Sequence, residues 1–517
     1  MSISRAAVFA ALFIFMQAGF ALAQDITLKS RDGSIALSGT LLGFDGEFYR
    51  IETRFGELTV DGSGVTCTGV GCPSLTDYVA EVTISGSASV GHGLMPALVE
   101  GFAARSGLQA ERIGTAKGTV YALRKPGGRV LGRFTFRVTN TDSGFADLLA
   151  DEADIVMALR EIRPEEAARA RAAGLGDLTA PNRSRVLALD AAVPIVSPRN
   201  PVDRLSISQL VDVLSGQITN WADLGGPDAP ITLHLRGEGS GMVQGLQDRL
   251  LRPARLDLVK AARRHDSNTA LVRAVAGDPF GLGLASYAET GVTRPLALVG
   301  ACGFTLRAAR RSIKTEDYPL TAPMFLYIPA RRLPKLARDF LVYAHGSSAQ
   351  ITIREAGFID QAPEEVALDL QGDRLANAIA VAEGTEGLSA LQDMVATLGP
   401  MRRLTTTFRF ETGSTKLDAQ SRSNVLALAR ALEAGGHDGR ELVFVGFSDG
   451  VGPAAANLDI ARRRAEAVRS AVEAAAETAD LDRVQISAHA FGEALPMACD
   501  DSAWGRRVNR RVEVWVR

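Results

Sequence analysis

Four rhythms of apolar and polar positions follow one another along the mature part of the chain. Residues 25–75 alternate, as in Ile35-Ala36-Leu37 and Tyr49-Arg50-Ile51-Glu52, with turn pairs at Asp32-Gly33, Asp45-Gly46 and Asp61-Gly62. Alternation broken by Asp-Gly turns predicts short hairpin strands, hence a small N-terminal β-domain. Residues 78–360 interleave apolar runs, such as Val82-Thr83-Ile84, Val186–Leu189 and Val193–Val196, with helical spacings such as Leu94, Leu98, Val99 and Phe102 before Gly107. Strand, helix, strand repeats predict an α/β fold with mainly parallel sheets. Residues 361–400 are rich in Ala, Glu, Asp and Gln at helical spacing and read as a linker with some helix.

Residues 401–517 return to a compact mixture. Leu404–Phe410 reads as a strand. Asp418 is placed to cap a helix carrying Val425, Leu428 and Leu432, which ends at Gly435-Gly436. Leu442–Gly446 is a strand, Ala454–Ala475 a helix and Val484–Ala490 a strand. In the last strand Val512, Val514 and Val516 alternate with Glu513, Trp515 and Arg517. The fold class expected is therefore α/β and α+β, in several domains.

Residues 1–23 break this patterning. Arg5 precedes the apolar run Ala6–Phe15, and Ala21-Leu22-Ala23 offers a small-residue cleavage site before Gln24. That is the layout of an export signal. Gln17 interrupts a stretch too short to span a membrane comfortably, no Cys follows the cleavage site, and no other run of about 20 apolar residues occurs. The expectation is an exported protein whose mature chain is soluble. A formal net charge of -2 gives no global field for nucleic acid. Export also frames the four cysteines. Cys67 and Cys72 close a Gly-rich loop with no histidine nearby, which favours a disulfide over zinc. Cys302 and Cys499 either pair with each other or stay as buried thiols.

The last unit holds the sharpest chemistry. Gly446-Phe447-Ser448-Asp449-Gly450 ends an apolar strand, and Arg464 lies fifteen residues beyond Asp449 within a helix. A strand-end carboxylate and a helix guanidinium converging on one pocket match a zwitterion, the first taking an ammonium and the second a carboxylate. The blander reading is a surface ion pair beside a solvated Arg462-Arg463-Arg464 face. Phe408-Arg409-Phe410, Ser414, Leu417, Gly446–Asp449, Asn457–Ala465 and Asn509–Glu513 follow in an order that resembles the OmpA-like peptidoglycan-binding domain, a βαβαββ fold. The resemblance implies that Asp449 and Arg464 bind the meso-diaminopimelate of the peptidoglycan stem peptide. It places Ser448 and Asn457 in the same site, and Arg510 and Arg511 add charge there, one of the two as a structural residue. Phe447-Ser448 stands where the family has His-Thr, and Ala461 replaces its Ser.

The central part offers two small-residue loops. Ser85-Gly86-Ser87-Ala88-Ser89 lies between a strand and a helix, and Arg236–Met242 opens another helix. Helix-start N–H groups favour anions, and Arg236 and Ser240 could add a fork and a hydroxyl. Each loop alone is more often a plain turn. With Ala153-Asp154-Ile155, Ala158-Leu159-Arg160, Asn200-Pro201, Leu205-Ser206, Ser215–Trp221 and Tyr318-Pro319-Leu320, they resemble the periplasmic phosphate-binding proteins, a two-lobed type II solute-binding fold. The resemblance implies lobes at roughly 80–190 plus 286–360 and at the residues between, closing on ligand. Ser85, Ser87, Arg160, Arg236, Ser240 and Gly241 are the implied ligand residues. Glu238 and Met242 depart from the family's second loop. Its Ser-Asp pair after the third strand is missing, which removes a carboxylate that accepts phosphate's proton.

His92 and His265 fall at cleft positions but have no Ser or Cys partner with a spaced carboxylate. No phosphate-binding Gly-Lys loop, His-Glu-x-x-His or Gly-x-Ser-x-Gly occurs. The sequence thus reads as a non-enzymatic binder without cofactor or metal, taking a small oxyanion such as phosphate and tethered to peptidoglycan. The alternative is a structural envelope protein whose central part contacts another envelope protein.

Overall fold

The computed structural model describes residues 25–517 apart from 75–76, 116–117, 383 and 412–413. The expected export signal lies outside the described residues. Among those described, no helix is long and apolar enough to cross a membrane.

The Asp-Gly turns deliver the first unit. Strands Ile26–Ser30, Ala36–Phe44, Phe48–Thr53, Gly56–Asp61 and Val65–Thr68 form one antiparallel sheet, with the first between the second and the fifth. The turn glycine Gly46 takes φ +96°, a conformation that costs other residues more. Ile26, Leu28, Tyr49 and Ile51 fill its small core. Cys67 and Cys72 are disulfide-bonded. Asp45 and Glu47, at the hairpin tip, meet Arg332 and Arg338 of the central part.

The central part is built on one long sheet. Its first lobe carries Gln109–Thr115, Gly118–Arg124, Val130–Thr139, Ala80–Ser87 and Ile155–Ala158; the second carries Gly281–Ser286, Thr232–Arg236 and Arg263–His265. Two crossover strands join them. Ser184–Val196 pairs with Thr321–Tyr327 along its first part and with Gly281–Ser286 along its last. Strands are parallel at the middle of each lobe but antiparallel at the first lobe's outer edge and around the crossovers. The expectation of mainly parallel sheets is corrected accordingly. A strand returning through both lobes runs against its neighbours, and apolar runs carry no sign of direction.

The C-terminal sheet runs Glu365–Ala367, Arg402–Arg409, Arg511–Val516, Glu441–Phe447, Gln485–Gly492. Helices Ala419–Glu433 and Ala454–Ala475 cover one face, where Leu404, Phe408, Leu442, Val512 and Val514 join Leu428 and Val468. Asp418 caps the first helix by accepting from Ser421 N. Residues 361–400 behave differently from a linker. They supply the edge strand Glu365–Ala367 and the helices Gly372–Val381 and Gly384–Leu398. Met394 and Leu398 pack with Trp515 and Phe447 on the sheet's other face. That explains why Arg511–Val516 is buried at every position although its sequence alternates.

Between the central part and this sheet lies a charged seam. Arg403 bridges Asp317 at 2.7 Å and Glu513 at 3.3 Å. Glu513 also takes Arg511 at 2.7 Å and Arg374 at 2.5 Å. Burial pushes the Glu513 carboxyl up, but Arg374, Arg403 and Arg511 outweigh it and hold the group ionised. Cys302 and Cys499, left open by the sequence, form a second disulfide across 197 residues. Cys302 sits between Ala297–Val299 and Thr305–Leu306, which pair with Arg204–Ser206, so this stretch belongs to the second lobe rather than to the first as expected, and the bond ties that lobe to the C-terminal unit.

Candidate functional site: an anion cleft and a paired-charge site

The lobes meet across a cleft of about 180 Å³. Ser87, Ser89 and Asn140 line it from the first lobe, and Arg236, Ser240, His265 and Asp266 from the second. Strand geometry puts Ser87 there. Gly86, at φ +133°, presses against Met157 O of the neighbouring strand, so the chain turns where a side chain would collide. Gly241 is held equally close, since a Cβ there would strike Thr141 Oγ1 of the opposite lobe. The lobes are therefore in contact, and the cavity is far smaller than the roughly 300–1,000 Å³ of organic-ligand pockets. Its size fits a small inorganic anion.

Arg236 is the charge of this cleft. Its Nε donates to His265 O at 3.2 Å and its Nη2 to Asp266 O at 2.8 Å. Both acceptors are backbone carbonyls, and no carboxylate lies within ion-pair distance among the described residues. Burial lowers its pKa, with partial compensation from Glu289 and Asp266. Nη1 has donors left for a ligand. Ser240 makes no capping bond to its own helix.

Two of the six implied residues are engaged elsewhere. Ser85 is fully buried and donates to Asp147 at 2.5 Å, away from the cleft lining. Arg160 is also absent from the lining. Its guanidinium donates to Gln244, Glu161 O, Asp142 and both oxygens of Glu166. Those bonds use all five N–H groups, so none remains for an anion. Arg160 instead works as a latch. Gln244 belongs to the second lobe, and its amide also donates to Asp142 at 2.6 Å. Arg163 and Asp248 add a second bridge between lobes at 3.2 Å. Sequence reasoning missed this because Asp142 and Glu166 are eighteen and six residues from Arg160, on two separate helices.

The C-terminal charges form the second candidate. Ser448 and Asp449 follow strand Glu441–Phe447, while Asn457 and Arg464 lie one above the other on helix Ala454–Ala475. All four are buried. Asp449 is bridged by Arg510 at 2.5 Å and accepts from Val451 N at 3.3 Å. Its carboxylate is thus already engaged, unlike the open ammonium acceptor expected. Arg464 does not bridge Asp449 directly, although the Asp449 charge reaches it. Burial and Arg510 lower its pKa, while Asp449 raises it. Its guanidinium sits over the Phe410 ring at 5.1 Å, a favourable cation–π arrangement. Arg464 Nε and Nη1, Ser448 Oγ and Asn457 Nδ2 are buried without hydrogen-bond partners among the described residues. Orphaned buried polar atoms are costly unless a polar ligand meets them. Two guanidiniums against one carboxylate leave room for a carboxylate on that ligand.

Comparison with known proteins agrees with this division. The PBP superfamily domain matches residues 79–347, and the OmpA family matches residues 409–510. Protein SphX of Synechococcus elongatus is 25% identical over 239 residues, covering 44% of this chain and 68% of its own. The phosphate-binding protein PstS of Borreliella burgdorferi is 24% identical over 184 residues, covering 34% and 65%. Among solved structures, an ABC-type phosphate transport receptor from Vibrio cholerae aligns over 54% of this chain and 99% of its own, at 22% identity and a TM-score of 0.41. With more than half of its residues inside that first match, the chain belongs to the PBP superfamily, and it carries an OmpA-family segment behind the two lobes.

Proposed function

We propose that this protein is a periplasmic receptor that captures a small oxyanion, phosphate foremost, while its C-terminal unit holds it on peptidoglycan. The carrying observation is Arg236, a partly buried guanidinium with no carboxylate partner among the described residues, in a cleft of about 180 Å³. A partly buried charge without an ion-pair partner favours an anion with several acceptor oxygens. Ser87, Ser240 and the backbone beside Gly241 supply neutral donors around it. The PstS relatives are phosphate-binding by name, which supports phosphate as the first ligand to try. The closed lobes, latched by Arg160 and Gln244, would exclude water from the bound ion.

For the wall, the reading assigns Arg464 to the carboxylate of a meso-diaminopimelate headgroup and Asp449 to its ammonium. Ser448, Asn457 and Arg510 would complete the site. Binding an ammonium there requires Arg510 to share Asp449. Calorimetry of the mature protein with phosphate tests the cleft. Heat that disappears in Arg236→Ala is expected, and no heat from the wild type would remove the receptor reading. The ligand hydrogen bonds that this variant cannot make, each worth about 1.5–3 kcal/mol, should weaken binding roughly 10- to 100-fold. Co-sedimentation with purified sacculi tests the tether. An Asp449→Ala, Arg464→Ala protein should stay in the supernatant, and its continued pelleting would contradict the site.

A further inference from the structure

The second lobe carries a histidine pair that has no part in the receptor reading above. His265 lines the cleft beside Arg236. His265 Nε2 lies 3.0 Å from His234 Nδ1, with the two rings 18° from coplanar. His234 is buried, and its Nε2 lies 3.5 Å from Asp278 Oδ2. The parallel register sets His234 opposite Arg263 and Arg236 opposite His265, so the two histidines lie diagonally on one face of the sheet, two positions apart.

The order of partners fixes where hydrogens sit. Burial raises the Asp278 pKa, but the Phe280 N–H and the His234 side chain outweigh it, so the carboxyl is ionised and can only accept. The tautomer in which His234 Nε2 donates to this carboxylate leaves a lone pair at Nδ1. His265 must donate to that lone pair from Nε2. In a neutral imidazole the other nitrogen then has no hydrogen. Burial lowers the pKa of both histidines, which favours neutral rings at pH 7. For His265, Arg263 and Arg236 lower it further, while Asp266 opposes them. His265 Nδ1 has no hydrogen-bond partner among the described residues.

We propose that His265 is a specificity-determining residue of the cleft, offering Nδ1 as an acceptor that selects oxyanions still carrying a proton. His234 and Asp278 act as positioning residues that fix its tautomer. Hydrogen phosphate and dihydrogen phosphate have an O–H to give. Sulfate at neutral pH has none, and its oxygen would face a lone pair at close range. Arg236 and the serines attract both ions alike, which leaves the imidazole and the Asp266 carboxylate as the cleft acceptors able to separate them. No proton changes hands; the ligand keeps its own and shares it in a hydrogen bond. This rests on the anion-receptor reading above and adds the residue that sets its selectivity.

The test titrates the mature protein with phosphate and with sulfate by calorimetry at pH 7.5. The proteins are wild type, His265→Phe, His234→Phe and Asp266→Asn, each first checked for an unchanged circular dichroism spectrum. Wild type should prefer phosphate. His265→Phe should cut the phosphate-to-sulfate affinity ratio at least tenfold, chiefly by weakening phosphate. His234→Phe should reduce it less, and nitrogen-15 shifts of labelled histidine should show His265 losing its single tautomer. Asp266→Asn removes the rival acceptor on the cleft wall and so tests the competing assignment. An unchanged ratio in His265→Phe, or loss of the preference in Asp266→Asn instead, overturns the inference and leaves the receptor reading standing. Wild-type protein that binds neither anion overturns both. Should His265→Phe misfold, the tautomer and ratio in His234→Phe decide, and no change in either overturns the proposal.

Discussion

The seam between the central part and the C-terminal sheet treats its arginines in the opposite way from the two candidate sites. At the seam, Arg374, Arg403 and Arg511 each meet a carboxylate of Glu513, and Arg403 also takes Asp317. The latch Arg160 is likewise saturated by Asp142 and Glu166. In the sites, Arg236 bonds only backbone carbonyls and Arg464 leaves Nε and Nη1 without partners. All of these side chains are wholly or mostly withdrawn from solvent. What separates structure from recognition here is whether the guanidinium has already been given its counter-charge. A satisfied buried arginine fixes two elements together; an unsatisfied one is a stability cost that a ligand can relieve.

The largest expected effect tests the saturated side. Removing one member of a buried charge cluster strands the others, at about 3–5 kcal/mol. Glu513→Ala would leave three guanidiniums facing Asp317 alone. Its unfolding midpoint in urea should fall accordingly, and a loss below about 1 kcal/mol would show that water already screens the seam. Next comes the covalent tie across the same boundary. Cys302→Ser, Cys499→Ser should lower stability by about 2–4 kcal/mol, because the crosslink restricts a long loop in the unfolded chain. The paired substitution leaves no odd thiol, so equal midpoints under oxidising conditions would mean that noncovalent packing alone holds the C-terminal unit against the second lobe.

A third effect is smaller and depends on pH. Glu316, also near the seam, has its carboxyl pushed up to about 8 by burial, opposed by Arg409 and reinforced by Asp418. Between its unfolded value near 4.5 and about 8, the folded protein holds the proton that the unfolded chain has lost. Stability from this group is therefore full below about pH 4.5 and declines as pH rises toward 8. Glu316→Gln imitates the protonated form and should gain over wild type at pH 8.5, by a fraction of the roughly 5 kcal/mol that a rise from 4.5 to about 8 would carry in full, and almost nothing at pH 4.5. A gain that does not depend on pH would place the cause in packing.

Much of this organisation is readable from the residues, because it follows from local rules. The Asp-Gly hairpins, the Asp418 cap and the helix Ala454–Ala475 all depend on neighbours within a few positions. Ser87, Arg236, Ser240 and Gly241, which only the family resemblance singled out, line one cleft. What escapes is non-local. Arg160 has the same sequence context whether its partners are a ligand or Asp142 and Glu166. The role of residues 361–400 depends on a sheet face that exists only after the last strand is in place. Alternation in Arg511–Val516 signals an exposed face, and only the packing of Met394 and Leu398 against Trp515 reveals the second cover. His265 is legible as a cleft residue, but its coupling to His234 needs the strand register.

Arg464→Met carries the smallest expected change in stability and the clearest separation of the two classes. Methionine keeps much of the side-chain length and can pack on the Phe410 ring. It removes a desolvated charge whose nearest charged neighbours are Arg510, which repels it, and Asp449, which already belongs to Arg510. The cation–π attraction to Phe410 is worth about 0.5–2 kcal/mol, against a desolvation penalty of similar or larger size. The unfolding midpoint should therefore stay within about 1 kcal/mol of wild type, or rise, while sedimentation with sacculi is abolished. That outcome would put the whole value of Arg464 in recognition. A drop of the size expected for Glu513→Ala would place Arg464 with the saturated arginines, its counter-charge then coming from the Phe410 ring and the distant pull of Asp449 rather than from a ligand.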